Sequence, residues 1–427
     1  MSIWNNLYIG VSGLNAHGEA ISVVGDNIAN VSTVGFKASR AGFADMLGGV
    51  VGSTRIGAGV TMEGAQVGFG QGSLQRTGGV LDLAVSGRGF FVARGNHDGI
   101  PGTYYTRDGR FSLDSDGFVV NQEGLRLQGY QIDPTGTQNQ QTGDLQLGAT
   151  QSQPLATSNV AMTINLDSSA VTPTLPFDPV DPSGTSNFAT STTVYDSLGN
   201  SHRVDMFFRS NGAGAWEWHA MVDGGELSGG TPGLETEIAN GTLSFTTNGA
   251  LDVESVGLSS ADFAGATPGQ AIAFDFGDAI ADGGTGLAGT TQFAGPSTVN
   301  AATQDGFAAG TLVDVLVAEN GTIQGMFSNG QQRAIARIAL ATFASENGLQ
   351  RAGEQLFRET TQSGQALVDA AATGARGSIA PGTLEASNVD LTTELVTLIA
   401  YQRAFQANAK TVTTADEMLN DINNLKR

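Results

Sequence analysis

The two ends of the chain carry a helical rhythm of apolar positions, and the long middle does not. At the N-terminus Ile3, Leu7, Gly10, Leu14, His17, Ile21, Val24 and Ile28 follow alternating steps of four and three. Leu7, Leu14, Ile21 and Ile28 recur every seven residues, an a/d seam with two weak positions at Gly10 and His17. At the C-terminus Leu391, Leu395, Leu398, Gln402, Phe405, Ala409, Val412, Asp416 and Leu419 keep the same rhythm. Each pattern predicts an amphipathic helix of roughly 27–38 residues, about 40–57 Å long. Asn388 or Asp390 is expected to cap the second helix. Asp390 and Glu394 near its start and Lys426 and Arg427 at its end suit the helix dipole. An apolar stripe of this kind is stable only when covered. The two helices are therefore expected to pair within the chain or to finish their packing on neighbours in an assembly. The polar seam positions Gln402 and Asp416 favour the assembly, because such residues set register at a cost in stability.

Between the ends the period changes to that of short strands. Strand-like runs occupy Phe90–Ala93, Phe118–Val120, Thr192–Tyr195, Val204–Phe208, Ala215–Val222, Thr242–Thr246, Thr311–Val317 and Ile335–Phe343. Among them lie Asn-Gly pairs starting at Asn211, Asn240, Asn248, Asn320, Asn329 and Asn347, and Asp-Gly pairs starting at Asp98, Asp108, Asp116, Asp223, Asp282 and Asp305. These dipeptides are hairpin signals because they accept the positive φ of tight turns. Residues Thr172–Thr185 carry Pro173, Pro176, Pro179 and Pro182 and read as an extended loop.

Charge sharpens the division. Of the formal net charge of −21, residues 146–331 hold −17, with 19 acids against only Arg203 and Arg209. A composition shift of that size predicts a separate, solvated central domain. With 427 residues, about three domains are expected. Only 14% of the residues are charged and 60 are Gly, so the surface is neutral-polar rather than densely ionic.

The candidate chemistries each fall short. Three Lys and 17 Arg in an acidic chain argue against nucleic-acid binding, which needs clustered cations. There is no Cys to form disulfides, thiolate sites or zinc ribbons. No run approaches ~18 apolar residues, so membrane insertion is not expected. No Lys or Arg precedes Lys37, so a basic signal peptide is not expected either. His17, His97, His202 and His219 lack metal-ligand spacing and read as structural. Gly284, Gly286 and Gly289 match G-x-G-x-x-G but lack a following helical pattern. Ser112–Glu123 imitates a calcium loop through Asp114, Asp116, Gly117 and Glu123, yet reads better as a hairpin around Asp116-Gly117. No catalytic, metal or cofactor residues are assigned, and no enzyme activity is expected.

Three stretches carry a family resemblance. The segment Asn27–Lys37 (NIANVSTVGFK) resembles the signature that follows the first helix in bacterial flagellar rod and hook proteins. Gly79–Phe91 (GVLDLAVSGRGFF), Tyr105–Asp114 (YTRDGRFSLD) and Leu127–Tyr130 (LQGY) are similar to the family's core β segments. Leu384–Leu391 (LEASNVDL) and Tyr401–Lys410 (YQRAFQANAK) resemble its C-terminal helix. The middle, about 145 residues long, looks by position like the outer domain of hook members rather than the short middle of rod members.

The resemblance implies a mixed fold, with long terminal helices in a coiled-coil-like inner domain and mainly β core and outer domains. It divides the chain into 1–37 with 384–427 as the helical inner domain and 38–78 with 356–383 as linking segments. Residues 79–150 with 295–355 would be the β-rich core, and 151–294 the acidic outer domain. It implies a structural subunit that self-assembles into a bent tube and transmits torque. Ile3, Leu7, Leu14, Ile21, Val24 and Ile28, with Leu391, Leu395, Leu398, Gln402, Phe405, Ala409, Val412 and Leu419, would be the assembly faces. Asn27, Asn30, Thr33, Gly35, Phe36 and Lys37 would form the connection after the helix. Gly35 fits either a helix-ending left-handed cap or a simple turn, and Phe36 would dock on a neighbour or on the chain's own core. Implied partners are further copies of the chain, the distal rod, hook cap and hook–filament junction proteins, and the flagellar type III export apparatus. The implied location is the extracellular flagellum. The competing readings are a distal-rod protein with a large insertion and a secreted binding or adhesion module carried by the middle.

Overall fold

A computed structural model describes residues 3–51, 54–133, 136–148 and 151–425, without the side chains of residues 3, 48–51, 54–56 and 422–425. The Ile3 side chain, Lys426 and Arg427 therefore lie outside the described residues. Helices span Ile3–Ala29 and Leu391–Leu425, and most of what lies between is β-structure. Asp390 opens the second helix: its Oδ1 accepts from the N–H groups of Thr392 at 2.9 Å and Thr393 at 3.2 Å, satisfying two of the donors a helix start leaves unpaired.

The chain forms two compact units: Met1–Thr150 with Val313–Met326 and Gln332–Arg427, and Gln151–Leu312 with Phe327–Gln331. In the first unit the two helices pack together, and the N-terminal one also lies against a long antiparallel hairpin, Ser39–Val51 with Thr54–Val67. That hairpin occupies most of 38–78, the stretch expected to be a Gly-rich link. Glycine weakens the strand signal, and the pairing slips register at Gly42/Phe43, Met46/Leu47 and Leu47/Val50. The other expected link, 356–383, likewise contributes the strands Leu356–Arg358, Leu367–Ala370 and Ser378–Pro381.

The β core of this unit centres on Gln332–Thr342, which pairs with Thr322–Phe327, Arg126–Gln131, Phe90–His97 and Leu367–Ala370. Phe90, Phe343, Phe357 and Tyr105 are buried beneath it, and Phe69 from the base of the hairpin meets Phe90 at 5.4 Å and Phe357 at 5.3 Å. The turn Asp98-Gly99 joins Phe90–His97 to Ile100–Thr106 with φ of 50° and 79°, the positive pair a two-residue hairpin turn requires.

The second unit has a six-stranded antiparallel sheet, Phe188–Tyr195, Ser201–Gly212, Ala215–Asp223, Glu235–Phe245, Leu251–Ala261 and Gln270–Ala271 in spatial order. A three-stranded sheet centres on Asn159–Asn165, parallel to Ala273–Asp275 and antiparallel to Thr298–Gln304. Trp216, Trp218, Phe208, Phe274 and Phe276 fill the core of this unit. Two of its Asn-Gly pairs lie off the tight turns. Asn240-Gly241 lies inside Glu235–Phe245 at a register shift, where a Cβ on Gly241 would meet Ser255 O at 2.1 Å. The turn after Ser201–Gly212 is made by Ala213 and Gly214, two residues beyond Asn211-Gly212. The proline-rich loop ends in one helical turn, Pro182–Thr185, capped by Asp181.

Candidate self-assembly faces and a junction clasp

The paired face of the terminal helices is offset from the heptad seam. Gly10, Gly13, Ala16, Ala20, Val24 and Asn27 are buried on the first helix, whereas Leu7, Leu14, Ile21 and Ile28 are only half-buried. The cause is close approach. A Cβ on Gly10 would lie 2.8 Å from Val412 Cγ2, and one on Gly13 would lie 2.6 Å from Asn408 Cγ. Small residues let the helices approach, and the larger ones turn to the flanks. On the second helix Leu398, Ala409, Val412 and Leu419 are half-buried and Ala415 is buried, while Leu391, Leu395, Gln402 and Phe405 are exposed. Val396, Ile399 and Met418 are exposed beside them, as are Trp4, Tyr8 and Val11 on the first helix. His17, a weak seam position by its polarity, instead joins three elements: its ring lies 5.3 Å from Phe43 and 5.9 Å from Tyr401.

The segment after the first helix is bound residue by residue. Asn27 Nδ2 donates to Ser39 O at 2.7 Å, and its Oδ1 accepts from Ser39 N–H at 2.9 Å. Asn30 Nδ2 donates to Asp26 O, and Thr33 Oγ1 donates to Asn30 Oδ1. The helix stops at Ala29, so Gly35 is not its cap. Gly35 sits at φ 71° in a turn closed by Phe36 N–H on Thr33 O, and a Cβ there would meet Asp108 N at 2.6 Å. Phe36 is buried in the chain's own core, beneath the Arg351 guanidinium at 5.1 Å.

Lys37 leads to a closed polar cluster. Its Nζ donates to Glu385 Oε1 at 2.6 Å and to Gly70 O at 2.9 Å. Glu385 also accepts from Gly72 N–H at 2.8 Å and from Arg107 Nη1 at 3.2 Å, and Arg107 Nη2 donates to Gly87 O. The side chains of Lys37, Arg107 and Glu385 are 0%, 3% and 0% exposed. Burial pulls the Lys37 ammonium below its ordinary pKa, against the opposing pull of the Glu385 carboxylate. Around the rim, Arg351 donates to Lys37 O and lies 3.5 Å from Asp26. Asn388 accepts from Ala38 N–H and donates to Gly68 O and Gly70 O. The residue pattern singles out Lys37 but not its partners. Arg107, Glu385 and Asn388 lie inside the family-like stretches, and that membership is the signal the sequence offers for them.

The sequence decoys resolve into local structure. Asp114 Oδ1 accepts from Asp116 and Phe118 N–H groups in the hairpin of Ser112–Leu113 with Val119–Val120. Gly284–Gly289 follows a single 3-10 turn, Ile280–Asp282, and enters no helix.

Four family models match: Flagella basal body rod protein over 7–37, Flagellar hook protein FlgE/F/G D1 domain over 84–172, Flagellar basal body protein FlaE D2 domain over 165–307, and Flagellar basal body rod FlgEFG protein C-terminal over 380–425. The Flagellar hook protein FlgE of Escherichia coli is 34% identical over 421 residues, covering 97% of this chain and 98% of that relative. This chain belongs to the flagellar hook protein family. The hook protein FlgE of Treponema pallidum is also 34% identical, over 99% of both chains. A solved hook protein FlgE2 of Helicobacter pylori aligns with 71% of this hook protein and 98% of its own chain, at a TM-score of 0.48 and 16% identity. The N-terminal model ends at Lys37 and the C-terminal one begins at 380, so both halves of the Lys37–Glu385 pair fall in matched segments of this hook protein.

Proposed function

We propose that this hook protein polymerises through its terminal helices into a bent tube that passes motor torque to the filament while flexing. The observation that carries the reading is the uncovered apolar stripe, Leu391, Leu395, Val396, Ile399 and Phe405, on a helix whose opposite face is already paired. A stripe of that length on one chain calls for cover from another. Contacts that repeat head to tail without closing build a filament from one kind of chain.

In this reading the helix pair lines the tube in coiled-coil-like fashion. The hairpin within 38–78 goes with the helices and 356–383 with the β core, and the acidity of 151–294 is solvated. Leu7, Leu14, Ile21 and Ile28, half-buried on the first helix, complete the assembly face. The chain leaves the cell through the flagellar type III apparatus and joins the distal rod at one end, under the hook cap, and the junction proteins at the other. The test is electron microscopy of the purified, polymerised chain, which is expected to give a curved tube with a central channel. Globular oligomers or solid fibres would overturn the reading.

A further inference from the structure

We infer that the Lys37–Arg107–Glu385 cluster is a torque brace: it fixes the direction in which the paired helices leave the β core, and that orientation, more than stability, is its contribution. The inference rests on the hook reading above.

Three connecting segments meet beside the β core at the foot of the body made of the two helices and the long hairpin, and the last two of them join that body to the core. The first leaves the N-terminal helix and enters the hairpin at residues 30–38, the second leaves the hairpin at 68–73, and the third enters the C-terminal helix at 385–390. The cluster touches all three. Lys37 lies on the first segment, Gly70 and Gly72 on the second and Glu385 on the third, bonded at 2.6, 2.9 and 2.8 Å. Arg107 ties the same carboxylate to the core through Gly87 O and through Phe90, over whose ring it lies at 5.2 Å. Asn388 adds a second set of rungs between the segments, from Ala38 N–H and to Gly68 O and Gly70 O.

The segments are also held too tightly for side chains to swing. A Cβ on Gly72 would meet Ala386 O at 1.9 Å, and one on Gly35 would meet Asp108 N at 2.6 Å. Twist applied to the helices reaches the core along the chain through the second and third segments, and the cluster cross-links both of these to the first at one point.

The chemistry matches this role better than it matches simple stabilisation. Two cations and one carboxylate are buried together, and the excess charge is met by the carbonyls of Gly70 and Gly87. Burying ions costs solvation that a well-packed apolar cluster does not, so such groups add little net stability. What they supply and apolar contacts do not is direction: charge-assisted hydrogen bonds at 2.6–3.2 Å resist sliding and rotation.

The test uses the full chain, polymerised from purified protein, with torsional stiffness read by twisting single tubes with a magnetic bead. The triple replacement Lys37→Met, Arg107→Met, Glu385→Met exchanges the ions for apolar groups of similar length. It is expected to unfold at a temperature close to the unmodified chain and to form tubes with clearly reduced torsional stiffness. Glu385→Gln, which keeps the acceptor for Gly72 N–H but not the charge, is expected to fall between. Tubes of either variant with unchanged stiffness would overturn the inference. If the triple variant does not fold, Glu385→Gln decides. If neither folds, the cluster serves folding alone and the inference is overturned as well. Failure of the unmodified chain to form tubes would instead count against the hook reading, which separates the two.

Discussion

Single residues set the limits of this chain at a few positions. Asn27 satisfies both backbone groups of buried Ser39. Asn27→Ala leaves an N–H and a C=O without partners, and the expected loss is about 2–4 kcal/mol, read as a drop in the denaturant midpoint. Gly35→Ala is expected to cost about 2 kcal/mol or more, because an L side chain at φ 71° is strained and its Cβ would press on Asp108. In the central unit, burial pushes the Glu254 carboxyl up to about 7, helped by Asp275 and Asp282 and opposed by the Phe276 N–H bond. The folded state therefore holds this proton more tightly than the unfolded chain, whose Glu titrates near 4.5. The stabilisation is complete below about 4.5 and is lost as pH rises through about 7. Glu254→Gln mimics the protonated form. It is expected to melt higher than the unmodified chain at pH 8, with the difference vanishing near pH 4, followed by the fluorescence of buried Trp216 and Trp218.

At the scale of elements, the helices and their uncovered stripe make separable predictions. Leu395→Asp with Ile399→Asp alters exposed positions, so the monomer should keep its stability within about 0.5 kcal/mol. Tube formation, measured by sedimentation, should be abolished. Gly13→Leu should do the reverse and disturb the monomer first, because no room exists against Asn408. Both terminal helices are legible in the sequence, since a 4/3 rhythm sustained over four or more turns suits a helix and no strand. The face they use to pair is not, because two glycines outweigh the large apolar residues of the heptad, and close approach leaves no hydrophobic signature. The long hairpin is hidden for a related reason: its glycines and register slips erase alternation. Strands with aromatic or β-branched runs, such as Phe90–His97 and Ser201–Gly212, are plain from sequence because their side chains fill cores. The clasp is half legible. A buried lysine needs a carboxylate, but nothing local says that the carboxylate stands 348 positions away.

For the whole molecule, the acidity of residues 146–331 is a source of repulsion between copies. Like-charged surfaces repel less in salt, so polymerisation should speed up as ionic strength rises, read by light scattering. Removing residues 151–294 should leave tubes that form but stay straight, and curved tubes from such a chain would overturn a role of the middle in bending. One further consequence concerns time. The carboxylate that neutralises Lys37 and Arg107 enters the chain only at residue 385, so the clasp cannot close until nearly the whole sequence is present. Closing so long a loop comes late in folding, after local hairpins have formed. Until then the two cations stay solvated and the three segments stay loose. A chain cut short at any point before Glu385 lacks the carboxylate that holds Lys37, Gly72 and Arg107 together, and its clasp stays open.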